Sequence, residues 1–363
     1  MGIMRAIVSF HQDPKKRAWI IIGLFPLFLV SLAYGAVMRA RRWCYRAAIF
    51  RTRKLRAVVA CVGNVTTGGA GKTPAVIHLA RRLREAGART AVISRGYGFS
   101  VEGDYLVVSE PDGVCREPGR APDEALMTAR KVPGVAVVVS PSRYRAGRAA
   151  VERFGAEVIV MDDGFQHLGL FRDIDILAVD IENPVGNGLV IPAGPLREPV
   201  SGARRADVVW LSGEGQGGLP GSLGQMLRGK PVVRARAVPE GLVTPSGKAL
   251  SIEKLAGTRV LAFAGIARPQ RFFETVGRLG AILVDRETFS DHHRYTDRDV
   301  DTLNRRAGEA GAGLLITTEK DLARLPSETP FALPVAALVM GLAVTGEDPV
   351  IKLILSKVKE KAT

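Results

Sequence analysis

Two kinds of apolar pattern alternate along the chain. Short, nearly unbroken apolar runs at 57–62, 90–94, 135–139, 158–161, 174–180 and 207–211 are separated by longer segments with apolar residues three and four apart, at 74–86, 122–131, 142–154 and around 201–205. Runs of the first kind predict strands buried on both faces, and those of the second predict helices with one apolar side. Their alternation predicts an α/β fold, a parallel sheet with helices on both faces. Glycine becomes frequent over 213–230 and marks a linker, after which 232–237 and 242–246 read as a connecting hairpin. Strands at 259–264, 281–284 and 313–317, with helices at 269–279 and 297–310, predict a second, smaller α/β domain. No internal repeat is present.

One apolar run fits neither pattern. Residues 18–38 carry no charge and include Trp19, Ile20, Ile21, Ile22, Leu24, Phe25, Leu27, Phe28, Leu29 and Val30. As a helix this run is long enough for a hydrocarbon core of about 30 Å. Lys15, Lys16 and Arg17 precede it, and Arg39, Arg41, Arg42, Arg46, Arg51, Arg53, Lys54 and Arg56 follow. The heavier positive flank lies on the C-terminal side, which predicts that the remainder stays cytoplasmic. Two placements fit: a single crossing, or an anchor lying in the interface. Gly23, Pro26 and Gly35 weaken a straight helix and favour the second. The basic stretch would attract anionic headgroups by about 1 kcal/mol per charge near the surface. No small-residue cleavage site precedes the basic flank, so a signal peptide is not expected.

The strand predicted at 57–62 runs into Gly63-Asn64-Val65-Thr66-Thr67-Gly68-Gly69-Ala70-Gly71-Lys72-Thr73-Pro74, and a helix follows. Strand, glycine-rich loop and helix in that order predict a phosphate-binding loop, and hence a P-loop NTPase-like sheet. Gly68, Gly69 and Gly71 leave room for backbone N–H groups to approach a polyphosphate. Lys72 would reach the β- and γ-phosphates, and the Thr73 hydroxyl would bind Mg²⁺. The strict motif has glycine where this chain has Thr66. The predicted organisation is an N-terminal anchor over 1–56, a phosphate-binding domain over 57–230, a hairpin linker over 231–250 and the smaller domain over 251–363.

Phosphoryl transfer on such a sheet needs an acid to hold Mg²⁺. The run 158–161 ends in Asp162 and Asp163, which supply one; extended backbone would point the two in opposite directions, one to the metal and one to a neighbour. Asp123 and Glu124 open a helix, where acids complement the dipole; the alternative role is a general base for an attacking hydroxyl. His292, on a polar loop of the second domain, is either solvated surface or support for such a base across an interdomain cleft. Ser94-Arg95-Gly96-Tyr97-Gly98 follows the second strand at the carboxyl edge, where α/β sheets place ligands. The segment 191–199, Ile-Pro-Ala-Gly-Pro-Leu-Arg-Glu-Pro, is rigid by composition.

The chain has 363 residues, 47% of them hydrophobic and 24% charged, which are globular values with room for two cores. A net charge of +15 calls for an anionic partner: nucleic acid, acidic lipid or a phosphorylated substrate. No zinc-finger spacing, basic zipper or aromatic RNA-binding motif is present, so nucleic acid is not expected. Cys44, Cys61 and Cys115 form no CxxC pair, which fits a reducing compartment and offers no metal site.

Taken in order, the segments 63–74, 94–98, Asp123-Glu124, 162–167 (Asp-Asp-Gly-Phe-Gln-His), 191–198, Asp291-His292 and Thr318-Glu319-Lys320-Asp321 resemble the tetraacyldisaccharide 4'-kinase family of lipid A synthesis, from the apolar segment to about Leu322. The resemblance implies transfer of the ATP γ-phosphate, with Mg²⁺, to the 4'-hydroxyl of an acylated glucosamine disaccharide 1-phosphate, giving lipid IVA at the cytoplasmic face of the inner membrane. It implies ATP binding by Thr66, Thr67, Gly68, Gly69, Ala70, Gly71, Lys72 and Thr73. It makes Asp123 the base and His292 its partner, places Thr73, Asp162, Asp163 and Glu198 around the metal, and gives Arg197, and with it Arg95 and Tyr97, to phosphate or substrate. This chain departs from the family around Asp123: Pro122 precedes the acidic pair and Ala125 follows it, where the family has Gly and Pro. No obligate protein partner is implied.

The competing expectation is a membrane-associated switch or partitioning ATPase acting through protein partners. Such loops carry a lysine just before the first glycine, where this chain has Thr67. A GTPase would need an Asn/Thr-Lys-x-Asp motif, and Thr318-Glu319-Lys320-Asp321 has those letters in the wrong register. A scaffold with a degenerate site would be expected to lose Lys72 or the Asp162-Asp163 pair, and both are kept.

Overall fold

The apolar runs become strands whose alternate residues face two layers of helix. In the computed structural model, residues 14–362 are described except 97, 98, 100–102, 114, 115, 117–119, 216–218, 220, 267, 268, 292 and 327–330, with backbone alone at 14–24 and 362. Tyr97, Cys115 and His292 therefore lie outside the described residues. Contacts divide the chain into two units, Met1–Arg236 with Val344–Thr363, and Ala237–Ala343.

The first unit holds β1 (Val58–Gly63), β2 (Thr90–Ser94), β3 (Leu106–Ser109), β4 (Ala136–Val139), β5 (Val158–Asp162), β6 (Ile174–Asp180), β7 (Val208–Ser212) and the start of β8 (Val232–Val243). Their order is β8-β7-β6-β1-β5-β2-β4-β3. All neighbours run parallel except β3, which is antiparallel to β4. Every residue of β1 is buried, as a central parallel strand requires. Val59, Cys61, Ile93, Val138 and Ile159 pack on one face beneath Ala146, Ala149 and Ala150 of helix α4 (Arg143–Phe154). On the other face, helix α2 (Lys72–Glu85) buries Ala75, Val76, Leu79, Ala80 and Leu83 over β1, β2 and β5. The register Val62↔Asp162 puts the ends of β1 and β5 side by side, and Ile93↔Met161 sets the end of β2 next to them. The loops after these strands therefore share one edge, and helices α3 (Asp123–Lys131) and α4 start on that edge too.

The long helix α1 (Pro14–Arg46) precedes the sheet. Among the described residues no helix is long and apolar enough to cross a membrane.

The second unit contains β9 (Ala249–Leu250), β10 (Arg259–Ala264), β11 (Ile282–Thr288), β12 (Leu314–Thr318) and most of β13 (Val335–Thr345). β10 lies between β11 and β12, and β12 pairs with β13, all parallel. Helices α6 (Pro269–Arg278) and α7 (Asp297–Glu309) cover this sheet, the first through Phe272, Phe273 and Val276 and the second through Leu303 and Ala307.

Four departures from the pattern reading have physical causes. The stretches at 232–237 and 242–246 are one strand, β8, and the reversal comes later: Leu242 pairs with Leu250 across a turn closed by Thr244 and Lys248, with Gly247 at φ 81°. The glycine-rich stretch 213–230 includes a short helix, α5 (Gly221–Met226), because Leu223 and Leu227 reach the core. β3 is a four-residue antiparallel edge, too short to show a period. The last helix, α9 (Asp348–Ala362), packs on β1 and α2 instead of closing the second unit, so the chain returns to the first.

Candidate active site

The loop between β1 and α2 keeps the conformation that its glycines make available. Gly68 sits at φ 120°, and Gly71, at φ 73° and ψ 23°, occupies the N-cap position of α2. A Cβ on Gly71 would collide with the Ser212 side chain at the end of β7, and one on Gly63 would lie 2.7 Å from the Phe165 nitrogen. The loop is stitched to the stiff 191–199 segment: Thr67 donates its backbone N–H (2.6 Å) and its hydroxyl (3.0 Å) to the Pro195 carbonyl, and the Arg197 N–H donates to Val65 O at 2.7 Å. Among the described residues no side chain caps the start of α2, so its first N–H groups stay available to an anion.

Lys72 donates to Asn64 Oδ1 at 3.1 Å and lies 3.5 Å from Asp163 Oδ1. Asn64, fully buried, also donates to Thr66 Oγ1 at 3.1 Å. A polar brace inside the loop thus holds the lysine ready without saturating its three donors.

The two acids at the end of β5 have different surroundings. Asp162 is the last strand residue, and Asp163 turns into the left-handed region at φ 48°. Arg197 Nη1 donates to both oxygens of Asp163 (2.8 and 2.9 Å). Burial would raise its carboxyl, but Lys72 and Arg197 outweigh burial and hold it below the usual carboxylate range. Asp162 is buried, and its Oδ1 finds no hydrogen-bond partner among the described residues. Burial, with Glu124 and Asp163 adding repulsion, pushes its carboxyl up to about 7 against the pull of Lys72 and Arg143.

Glu198, expected among the acids around the metal, is engaged elsewhere. Both its oxygens meet Arg205 (2.8 and 2.6 Å), and Oε1 also accepts from Gln166 at 2.8 Å. Arg205 lies over the Phe165 ring at 3.7 Å and donates to its carbonyl, and Gln166 donates to Asn64 O at 2.8 Å. Glu198, Arg205 and Gln166 therefore brace the 162–167 loop against the phosphate loop. Among the described residues no group of three or more His, Cys, Asp or Glu side chains forms a metal cage. Asp162 remains the acid with coordination capacity to spare.

Asp123 is exposed at the first turn of α3, with Glu124 beside it. Gly96, at φ 70°, lets the turn after β2 approach Val139 and Pro122, and a Cβ there would sit 3.3 Å from Pro122 Cγ. That contact puts the exposed Arg95 and the start of α3 on the same edge as the phosphate loop. The structure thus gathers Lys72, Thr73, Asp162, Asp163, Arg197, Glu198, Arg95 and Asp123 at one edge of the first unit.

A family model described as LpxK, tetraacyldisaccharide-1-P 4'-kinase, matches residues 24–359. The chain belongs to this kinase family. A tetraacyldisaccharide 4'-kinase of Syntrophus aciditrophicus is 40% identical over 99% of this chain and 100% of its own. One from Geobacter sulfurreducens is 42% identical over 86% of this chain and 88% of its own. Among solved structures, an LpxK from Aquifex aeolicus, crystallised in an "apo" form in complex with ATP, superposes with a TM-score of 0.75 at 29% identity, covering 93% of this chain and 99% of that one.

Other site residues carry no sequence signal of their own. Asn64 and Gln166 lie inside motifs but are read there as spacers, Arg205 follows a proline-rich turn, and Arg143 opens a helix like many arginines do. His167 is half-buried among Arg143, Arg172, Arg41 and Arg95; burial and then these charges lower it to about 4, so it is neutral at pH 7. Helix α1 is also fastened to the site. Ser31 donates to Val190 O, Tyr34 donates to Arg197 O at 3.0 Å and Arg41 donates to Gln166 O at 3.0 Å. Ser31 and Gly35, one turn apart, are buried against the protein. Phe25, Leu27, Phe28, Leu29, Val30, Leu32 and Val37 face outward, Val30 at 55% and Val37 at 62% exposure.

Proposed function

We propose that this chain transfers the γ-phosphate of ATP to the 4'-hydroxyl of tetraacyldisaccharide 1-phosphate, forming lipid IVA. The observation that carries the reading is a lysine-bearing phosphate loop bonded to the same residues as an apolar-faced helix: Arg197 supplies its carbonyl to α1 and its guanidinium to Asp163. A kinase for a soluble substrate has no need of that coupling. Membership of the family and the superposition on an ATP-bound relative support the same reading.

The loop N–H groups and Lys72 would hold the β- and γ-phosphates. Thr73 and Asp162 fit Mg²⁺, which takes one or two carboxylates and keeps phosphate and water for the rest; the unpartnered Oδ1 of Asp162 is the observation that supports this fit. When bound with ATP, Mg²⁺ would neutralise charge on the phosphate oxygens. Asp163, clamped by Arg197 and Lys72, keeps the loop in register, and Glu198 does so through Arg205 and Gln166. Asp123, exposed at the edge, is the base that takes the proton of the 4'-hydroxyl. Arg95 would face the acceptor.

Helix α1 is the membrane anchor of this proposal. It turns small and polar residues to the protein and large apolar ones outward, the reverse of a soluble surface helix. With Arg39, Arg42 and Arg46 at its end, it fits an interface of anionic lipids on the cytoplasmic side of the inner membrane, where ATP is present.

The test is incubation of purified protein with γ-labelled ATP, Mg²⁺ and tetraacyldisaccharide 1-phosphate in detergent. Label should pass to the lipid at a rate that depends on acceptor concentration. ATP hydrolysis without labelled lipid, stimulated by a protein partner, would instead support a switch ATPase.

A further inference from the structure

Helix α1 ends in a turn of unusual composition. Residues 47–50 read Ala-Ala-Ile-Phe and are all exposed, where turns favour glycine, asparagine, aspartate and serine. Ala48 sits at φ 56°, in the left-handed region that helix ends usually give to glycine. The turn is nevertheless closed: the Ile49 N–H donates to the Cys44 carbonyl at 2.9 Å, and the Phe50 ring meets Tyr45 edge to face, centroids 5.3 Å apart. Ile49 is 58% exposed, Phe50 46%, and Trp43, in the last turn of the helix, 63%.

A second loop fastens this turn and adds to its apolar surface. The Arg53 N–H donates to the Gly169 carbonyl at 2.9 Å, and the Phe171 N–H donates to the Arg53 carbonyl at 2.8 Å. Thr52 donates its hydroxyl to Leu168 O at 3.1 Å. Tyr45, which holds Phe50, also abuts this loop: a Cβ on Gly169 would lie 3.5 Å from its hydroxyl. Phe171 is thereby held at the surface, 40% exposed, with the Lys54 ammonium 4.8 Å from its ring centroid.

Two observations say what covers these side chains. The first is charge. From 39 to 56 the chain carries eight Arg and Lys residues and no Asp or Glu, and Arg46, Arg51, Arg53 and Lys54 are exposed. Apolar tips among cations match an anionic headgroup layer over an apolar interior. A second copy of the chain, meeting this face with the same face, would set like charges against like. The second observation is continuity. Eighteen residues make five helical turns, so Trp43 lies on the same side of α1 as Phe25, with Leu32 about 20° away. The outward apolar face therefore runs from Phe25 to the turn.

We propose that the turn at 47–51, together with Phe171, is a second membrane-insertion point that takes a bilayer rich in anionic phospholipid, so that α1 lies along the surface held at both ends. The proposal rests on α1 being the anchor and adds a contact outside that helix. Two contacts, one along the helix and one beyond its end, fix how the unit is turned toward the lipid. The second contact borders the candidate site, because Arg172, next to Phe171, donates to His167 O at 2.8 Å.

The experiment compares flotation of wild type, an Ile49→Ser/Phe50→Ser/Phe171→Ser variant and an Arg51→Glu/Lys54→Glu variant. The vesicles are phosphatidylglycerol with phosphatidylethanolamine, or neutral phosphatidylcholine. The serine variant should bind the anionic vesicles at least about tenfold more weakly. The charge variant should do the same there, yet stay within about twofold of wild type on neutral vesicles. Both should keep ATP affinity and label transfer to detergent-dispersed lipid. A Phe50→Trp reporter, with Trp19 and Trp43 changed to Phe, leaves only the fully buried Trp210 beside it, and decides the matter if the serine variant melts early. Its emission should shift to the blue on anionic vesicles and be quenched by lipid brominated on the acyl chains. Wild-type binding that both variants keep, or a reporter that brominated lipid leaves untouched, would overturn the proposal and leave α1 the anchor. A wild-type dimer that the serine variant lacks, with the reporter unquenched, would assign the patch to a second copy and overturn it too. A wild type that ignores both kinds of vesicle would sink the anchor reading and this proposal together.

Discussion

Asp162 and Asp163 show what adjacent residues of one type can become when the backbone separates them. Strand geometry keeps Asp162 buried beside β1, while a left-handed turn delivers Asp163 to Arg197. The sequence makes both acids visible but not their division of labour, because that depends on where the strand stops. Arg143 was illegible for a related reason: an arginine at a helix start carries no pattern, and its burial beside the Asp163 carbonyl exists only in three dimensions. Lys72, by contrast, was legible from spacing alone, and its Asn64 brace follows from a loop that must curl back on itself. Lys72→Ala is expected to lower kcat/KM by about 10²–10³-fold or more, measured by label transfer, with the melting temperature nearly unchanged. Asp162 supplies a pH test. An acid whose pKa is raised on folding, here to about 7, binds its proton more tightly in the folded chain, so it costs stability progressively as pH rises from about 4 to 7 and fully above that. Nucleotide-free Asp162→Asn protein should therefore melt several degrees above wild type at pH 8, at about 2–4 °C per kcal/mol, with the gap closing toward pH 5. A gap that ignores pH would mean that Asp162 is ionised at no cost.

At the scale of elements, α1 carries the most information and was only half readable. Its apolar stretch was plain in the sequence. Which side faces the protein was not, because Ser31, Tyr34 and Gly35 become a docking face only against Val190 and Arg197. If the outward face meets lipid, replacing Phe28, Leu29 and Leu32 with serine should cut co-sedimentation with anionic vesicles at least about tenfold, since each buried apolar side chain contributes about 1.5–3 kcal/mol. ATP affinity should not move, and unchanged vesicle binding would remove the anchor from the account. The phosphate loop responds in the opposite way. Gly71→Ala forces a Cβ into Ser212 at a positive φ, so ATP binding should fail while vesicle binding persists. Isothermal titration with ATP checks the first half of that expectation. Strands and helices of the first sheet were legible to within a residue or two because parallel strands are buried throughout. β3 escaped because four residues on an edge show no period.

For the molecule as a whole, the sequence predicts two α/β domains read one after the other, and the chain does something else: it leaves the first unit in β8 and returns after β13. The return is held by α9. Lys361 donates to Ala57 O and to Asp173, each at 2.9 Å, while Asp348 meets Arg82 at 3.4 Å. Val350 and Ile354 are fully buried, so removing residues 344–363 should destabilise the first unit and lower its melting temperature, although no candidate site residue is lost. The net charge of +15 has its meaning at this scale too. Vesicle binding should weaken as salt shortens the screening length from about 10 Å at 0.1 M, whereas the chemistry on detergent-dispersed lipid should depend on salt much less. The central claim is the position at which phosphate arrives. Phosphorus-coupled proton spectra of the lipid product measure it directly. The account predicts one new phosphomonoester coupled to the proton on carbon 4' and one ADP released for each. Phosphate on any other oxygen of the lipid, or ADP without phosphorylated lipid, would contradict it.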